Sequence, residues 1–533
     1  MKTILILGAG VMQVPGIQIA KRKGWRVIIA DGNPHALARG MGDQFEIVDL
    51  KDKEGLLALA RSLERTTGLD GIFTAGTDFS SSVAWVAEKM GLPGIPFAAA
   101  MRATDKCLMR EALAAAGVPS PRFACWTGQR DPVSLLGEGF GFPLVVKPVD
   151  NMGARGVRRV DDPAALADAC AAALPLSRSS RVIVEQYMEG PELSLDAVVS
   201  GGIITVCGVA DRHICFPPSF VEMGHTMPTS LGPSTVREIE QVFRAGIRAI
   251  GIDNGAAKGD IKLTPAGPMV GEIAARLSGG YMSGWTFPLA SGVEVTEAAL
   301  NIAVGIPPGN LTPSMSRTCA ERALISIPGI VELVSGVEEA KRVPGIAEVF
   351  LRVAPGDEVV FPSNNVQKCG NVLAVADTRT AAVAAAHNGL ALLRIRLRPA
   401  LEKTNWHIFH DSGNDAFELI SVETRRAMEK MPPFLGNPSS VTPADEIGIA
   451  PFNRIKGEKI LDWYGSSLDA AVKMACRDGR GTVLSGGEDG RFALCGLFWR
   501  AMVRASAQGG TYVLDSVREA ARRGKLKELL ETL

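Results

Sequence analysis

The chain has no excess of either charge: 57 Lys and Arg balance 57 Asp and Glu over 533 residues. A basic face for nucleic acid or a polybasic membrane patch needs such an excess, so small-molecule partners are expected, with neither nucleic acid nor membrane among them. No apolar run reaches the ~20 residues that cross a bilayer. Ile4 to Leu7 is too short for a signal-peptide core and runs straight into a glycine turn. There is no C-x-x-C pair either. The nine cysteines are scattered and odd in number, which argues against a disulfide framework and against a zinc site. They read as core thiols of a reducing, cytoplasmic compartment. A homo-oligomer is left open.

At roughly one domain per 150 residues, this length predicts three or four domains. Strand and helix alternate from the start: Thr3 to Leu7, the turn Gly8-Ala9-Gly10, a helix from about Pro15 to Lys23, and a strand Arg26 to Ala30 ending in Asp31. Gln44 to Val48, Lys53 to Thr66, Gly71 to Thr74 and Ser81 to Met90 continue the alternation. This predicts a doubly wound parallel sheet with Gln13, Asp31 and Asp78 at its ligand-binding edge. The glycine turn and Asp31 resemble part of a dinucleotide fingerprint, although Gln13 stands where the third glycine belongs.

The stretch FPLVVKPVDNMGARGVRRV, Phe142 to Val160, reads as strand, lysine, glycine loop, strand. Polyphosphate needs a cation on a firm element and backbone N–H groups that approach closely, and Lys147 with Gly153 and Gly156 meets that need. Further on, VIVEQYMEGPELSLD spaces Glu185, Met188 and Glu192 so that a strand end, a connector and a second strand surround one planar ligand. Adenine and ribose require an acceptor, a backbone N–H and a carboxylate in such an arrangement. In GDIKLTPAGPMVGEIAARLSGG, a three-residue turn over Pro265-Ala266-Gly267 sets Asp260 opposite Glu272. Two carboxylates facing each other across a ladder repel, and a hard divalent ion between them answers the repulsion. Arg276 follows as a fork for phosphate or carboxylate.

Taken in order, these segments resemble the ATP-grasp superfamily of carboxylate–amine ligases, most closely its L-amino acid ligase and biotin-carboxylase-like branch. The resemblance covers about Met1 to Pro313, and more loosely Thr318 to Arg398. It implies an α/β ATP-grasp fold: an N-terminal doubly wound parallel-sheet (pre-ATP-grasp) domain over 1–98, an ATP-grasp domain over 99–317, a small β-rich closing domain over 318–400, and an α-rich C-terminal extension over 401–533. It implies Lys106 and Lys147 as ATP lysines, Asn151 to Val157 with Gly153 and Gly156 as phosphate loop, and Glu185, Met188 and Glu192 as adenine and ribose contacts. Asp260 and Glu272 would hold Mg²⁺, or Mn²⁺ in its place, and Arg276 would hold the acyl-phosphate or acceptor carboxyl group. His225, Ser278 and Gly279 fall on substrate loops. The implied substrates are ATP, a small carboxylate and an amine.

Two residues depart from the pattern. Ala274 stands where a second-metal asparagine is usual, and Lys258 where a histidine or other polar residue precedes the first metal acid. Beyond Leu401 the resemblance stops. Helices are predicted around Asp462 to Asp478, Phe492 to Ser506 and Thr511 to Leu530, with breaks at Gly486-Gly487 and Gly509-Gly510. They read as a compact appendage, with His407 and His410 as ordinary surface residues. The alternatives are a ligase activating formate or bicarbonate, an NAD-dependent oxidoreductase using Gly8, Gly10 and Asp31, and a nucleotide-binding protein without turnover.

Overall fold

The first apolar run forms β1 (Thr3–Leu7), buried at all five positions as a strand covered on both faces must be. It pairs in parallel with β2 (Arg26–Asp31) and with β4 (Gly71–Phe73). With β3 (Gln44–Ile47) the sheet order is β3-β2-β1-β4. Helices α1 (Val14–Arg22) and α2 (Lys53–Thr66) make the crossovers, and α3 (Ser80–Met90) follows β4. Asp52 caps α2 through the amide of Gly55, and left-handed Gly91 ends α3. The doubly wound start is therefore present in this computed structural model, which describes residues 1–136, 140–410, 415–417, 461–478, 488–525 and 528–529.

Two compact units make up the chain. The first takes in Met1–Glu321 with Ser363–Asn365 and Leu373–Val383; the second takes in Arg322–Pro362, Val366–Val372 and Ala384–Leu533. No helix among the described residues is long and apolar enough to cross a membrane.

In the first unit, α4 (Phe97–Thr104) leads to α5 (Lys106–Ala115), whose cap Asp105 accepts from the amides of Cys107 and Leu108 at 2.9 and 3.1 Å. A second sheet, ordered β5-β8-β6-β7, is built from β5 (Phe123–Trp126), β6 (Leu144–Pro148), β7 (Arg158–Val160) and β8 (Val182–Gln186), with α6 (Ala164–Ala173) beside it. Cys107 and Cys125 form a disulfide between α5 and β5, which corrects the expectation that all cysteines are core thiols. Their Cα atoms lie 6.3 Å apart because the helix start packs against the strand, a tertiary proximity that no spacing rule encodes.

Five neighbouring strands of a third sheet run β13-β12-β9-β10-β11. They are β9 (Glu192–Ser200), β10 (Ile203–Cys215), β11 (Val221–Met227), β12 (Gly255–Thr264) and β13 (Gly267–Ala274). Helix α7 (Pro233–Ile250) packs on this sheet so closely that a Cβ at Gly259 would lie 2.4 Å from the Phe243 ring. The hairpin turns over two residues, Pro265-Ala266, with Thr264 opposite Gly267, not over the three expected. A two-residue turn alone would set Asp260 opposite Gly271. A β-bulge leaves Gly271 outside the ladder, and Asp260 pairs with Glu272 after all. Helices α8 (Phe287–Ser291) and α9 (Val295–Ala303) follow.

After β14 (Thr318–Leu324), the second unit holds β15 (Gly329–Ser335), α10 (Val337–Lys341), β16 (Ile346–Leu351) and β17 (Glu358–Val359). Next come β18 (Gly370–Ala376) and α11 (Arg379–Leu390), each divided between the two units, then β19 (Arg394–Leu397) and α12 (Glu402–Phe409). The tail adds α13 (Leu468–Asp478) and α14 (Glu488–Arg522). It is no appendage: Phe498, Trp499, Tyr512 and Val513 share one core with Ile327, Val331, Ile395 and Leu397. The break expected at Gly509-Gly510 falls at Ala505 and Ser506, where the backbone leaves helical values inside α14. Gly509 and Gly510 serve close packing instead, since a Cβ at Gly509 would lie 2.2 Å from the Ala501 carbonyl oxygen. Gly486-Gly487 lies outside the described residues. His407 is buried and stacks on Phe361 at 5.7 Å, so it is a core residue and not a surface one. His410 stacks on Trp406.

Candidate active site

Lys147 ends the apolar part of β6, and its ammonium rests on Glu185 of β8 at 2.5 Å. Glu185 is only 1% exposed, and its other oxygen takes the Arg110 Nε–H at 2.8 Å. Burial pushes this carboxyl up, but the charges of Arg110 and Lys147 prevail and hold it at about 2. The Glu185 side chain is thus engaged by two cations, where an open acceptor for adenine was expected. Met188 lies in the connector between β8 and β9.

Lys106 opens α5, buried, and donates to the Asn151 carbonyl at 2.8 Å while standing 3.7 Å from Glu272. The loop from Asn151 to Val157 turns through Gly153 and Gly156 with φ of 69° and 71°, left-handed values that favour glycine. Arg155 of this loop reaches Asp78 at 3.0 Å, and the Gly153 carbonyl accepts from the Asn365 amide at 2.9 Å.

Asp260 and Glu272 face each other as expected, yet they are not two bare acids. Asp260 pairs with Lys258, and Arg212 of β10 lies 3.0 Å away. Arg212 also holds Glu192 and Glu222, so the expected ribose carboxylate is engaged by an arginine from the next strand. Burial would lower the Arg212 guanidinium, but these three carboxylates raise it. Glu272 is half-buried and held at about 2: burial raises its carboxyl, and Lys106, Lys258, Lys147 and Arg276 together overcome that. Two hard oxygen donors on facing strands suit Mg²⁺, which keeps its remaining positions for water and phosphate. Ala274 brings no donor. Among the described residues, no cluster of three or more His, Cys, Asp or Glu forms a metal centre by itself.

Two of the residues expected on substrate loops, His225 and the turn that carries Ser278, also lie together. His225 on β11 is buried, with Nδ1 3.0 Å from Glu321 and Nε2 3.5 Å from Glu222. A Cβ at Gly280 would lie 3.1 Å from the His225 ring, so the Ser278-Gly279-Gly280 turn abuts it. Ser278 is anchored by donating from its amide and hydroxyl to Asp196 at 3.0 and 2.8 Å. Asp196 is fully buried, and burial raises its carboxyl against the hydrogen bonds of Ser283 and Ser278. Arg276 donates to the Leu277 carbonyl at 2.7 Å; burial lowers its guanidinium, against the carboxylates of Glu272, Asp78, Asp196 and Asp260. Asp78 meets Arg155 and Arg178, while its Oδ1 is buried without a hydrogen-bond partner.

The N-terminal glycine turn is differently occupied. Asp31 accepts from the amides of Ala9 and Asn33, and the Gln13 side chain folds over Gly8 to donate to Ala75 at 2.6 Å. Both are structural caps, which removes the basis for a dinucleotide site there. Arg110, Arg212, Glu222 and Asp196 are additions that sequence reading missed. Only Arg110 carried a signal, standing one helical turn after Lys106 and therefore on the same face.

Residues 140–284 match the ATP-grasp domain family, and residues 322–398 match L-amino acid ligase C-terminal domain 2. Among curated proteins, the uncharacterized protein y4rH of Sinorhizobium fredii is 29% identical over 69% of this chain and 77% of its own length. Carnosine synthase 1 of Homo sapiens is 27% identical over 59% of this chain, which spans only 41% of that protein. The crystal structure of an L-amino acid ligase from Bacillus licheniformis superposes with a TM-score of 0.65 at 23% identity, covering 75% of this chain and 99% of that one.

Proposed function

We propose that this ATP-grasp ligase, which carries an L-amino acid ligase C-terminal domain behind its ATP-grasp domain, activates the carboxylate of an amino acid or small acid as an acyl-phosphate and passes the acyl group to an amine. ADP and phosphate are the other products. The observation that carries the reading is that Lys106 stands 3.7 Å from Glu272, beside Lys147 on Glu185 and Lys258 on Asp260, with the charges of all three and of Arg276 lowering the Glu272 carboxyl. Cations interleaved with carboxylates in this way suit a polyanion that arrives with its metal ion, and triphosphate with its metal is the polyanion the domain family handles.

A carboxylate is a poor electrophile because oxide cannot leave it. Phosphorylation supplies a leaving group. Transfer of the terminal phosphoryl group leaves charge on its oxygens, and fixed cations stabilise that charge without reorganising. Lys147, held by Glu185, and Lys106, held by the Asn151 carbonyl, are placed for this. The loop containing Gly153 and Gly156 lets backbone amides approach, and Arg276 orients the acyl-phosphate. Asp260 and Glu272 would hold Mg²⁺, which neutralises phosphate charge when bound. The amine attacks the acyl carbon directly, so no side-chain nucleophile is required. His225 and the Ser278-Gly279 turn line the acceptor side.

Turnover with amino acids and small acids should release ADP and phosphate, and hydroxylamine should trap the activated acid as a hydroxamate. AMP and pyrophosphate as products would overturn the mechanism.

A further inference from the structure

Arg110 is 1% exposed and among the largest fully buried side chains of the described residues. It stands on α5 one turn after Lys106 and uses two edges of its guanidinium. Nε donates to Glu185 at 2.8 Å, and Nη2 donates to the Gly271 carbonyl at 2.6 Å. Those acceptors belong to different sheets. Glu185 is the residue on which Lys147 rests, and Gly271 is the bulge residue that sets Glu272 opposite Asp260. A bulge residue is left out of the ladder, so its carbonyl needs a donor from elsewhere. Gly271 also tolerates little added bulk, since a Cβ there would lie 3.0 Å from the Asp260 carbonyl oxygen. The third nitrogen, Nη1, is buried without a hydrogen-bond partner. Packing alone would be served better by an apolar side chain than by a cation with an orphaned donor.

We infer that Arg110 is a positioning residue that locks the nucleotide lysine and the metal hairpin into one frame. Its rigid fork holds at once the carboxylate beneath Lys147 and the bulge carbonyl that pairs Glu272 with Asp260. A lysine cannot replace it, because one ammonium on a flexible stem does not span both acceptors. The inference rests on the ligase reading for what Lys147 and the two acids bind, but not for the geometry Arg110 maintains.

The test uses the full chain with Arg110→Lys and the paired variant Arg110→Met/Glu185→Gln, which removes the Arg110–Glu185 charge pair together and leaves Lys147 an amide oxygen to donate to. Arg110→Lys should keep the fold by circular dichroism and most of the apparent ATP affinity. The Mg²⁺ concentration for half-maximal nucleotide binding should rise roughly tenfold or more, the scale typical when a residue behind a metal ligand is lost. In ligand-free protein, amide hydrogen exchange across residues 269–273 should accelerate while exchange in α7 stays unchanged. The paired variant should show the same raised Mg²⁺ requirement and faster exchange. Parent-like Mg²⁺ dependence and exchange in either variant would overturn the proposal. If the parent binds no ATP, the ligase reading fails, and the exchange measurement still decides whether Arg110 holds the bulge.

Discussion

Lys147 and Glu185 lie on neighbouring strands, and the contact between them changes what a substitution at either should do. Lys147 is not an exposed strand-end lysine: its side chain is 16% exposed and it shares a buried carboxylate with Arg110. Lys147→Ala should therefore cost about 1–3 kcal/mol of stability, the range for losing a hydrogen bond to a charged group, as well as a hundredfold or more in turnover. Thermal melts and steady-state kinetics measure the two separately, and unchanged turnover would remove Lys147 from the mechanism. Asp260→Asn and Glu272→Gln should act in the same direction in ligand-free protein. The like-charge argument alone would make both neutral or stabilising, but Lys258 and Arg212 compensate Asp260 from β12 and β10. Lys106, Lys258, Lys147 and Arg276 favour the charged form of Glu272 in the same way, so both substitutions should lower the melting temperature, while Mg-ATP should stabilise both less than the parent. Equal stabilisation by Mg-ATP would mean that neither acid holds the metal. The places of the lysines and acids were legible because each falls at a strand end or turn with its own local signature. Their partners were not, because Arg110 lies 75 residues from Glu185 and the pairing is made only by tertiary packing.

Among the elements, the hairpin shows how a correct pairing can follow from an incorrect turn. Counting from a three-residue loop and counting from a two-residue turn plus a bulge give the same partner for Asp260, and only the backbone distinguishes them. The parallel sheet, the strand–lysine–loop unit and the hairpin were all legible from periodicity and turn chemistry. The break in α14 was not, because its glycines answer to close packing and the backbone departs from the helix at Ala505 and Ser506. The disulfide staples α5, which carries Lys106 and Arg110, to β5 in the sheet of Lys147 and Glu185. The cysteines are 18 residues apart, and a bridge closing a loop of that size stabilises by about 3 kcal/mol through the unfolded state. Reductant should lower the melting temperature of the parent and leave Cys125→Ser unchanged. An identical melt for oxidised and reduced parent would show that the bridge contributes nothing.

For the whole molecule, acid should act on the two units in different pH windows. In the second unit, burial and the charge of Arg322 hold His387 neutral down to about 4, below its ordinary 6.5. The unfolded chain then binds the proton first, so the stability this group contributes is full above about 6.5 and falls as pH drops towards 4. In the first unit, Glu185 and Glu272 are held at about 2 against an ordinary 4.5, so their contribution is full above 4.5 and is lost as pH falls through 2. Melts between pH 7.5 and 4.5 should show a decline that His387→Asn flattens and Glu185→Gln does not; an equal slope in His387→Asn would refute the assignment. Truncation after Pro399 should keep nucleotide binding, because every residue proposed to contact the nucleotide lies in the first unit, but should aggregate, because Ile395 and Leu397 lose the cover of Phe498, Trp499 and Tyr512. A soluble, monomeric truncation would show that the tail is dispensable after all. The chain also leaves the first unit at Glu321 and returns twice, for Ser363–Asn365 and for Leu373–Val383. Asn365 then braces the glycine loop at Gly153 and also accepts from the Glu222 amide, while Arg379 fastens Asp211 and the Pro228 carbonyl. A ribosome that has released only the first 321 residues has therefore delivered every residue assigned to nucleotide and metal, yet the nascent site lacks its braces until residue 383 has emerged.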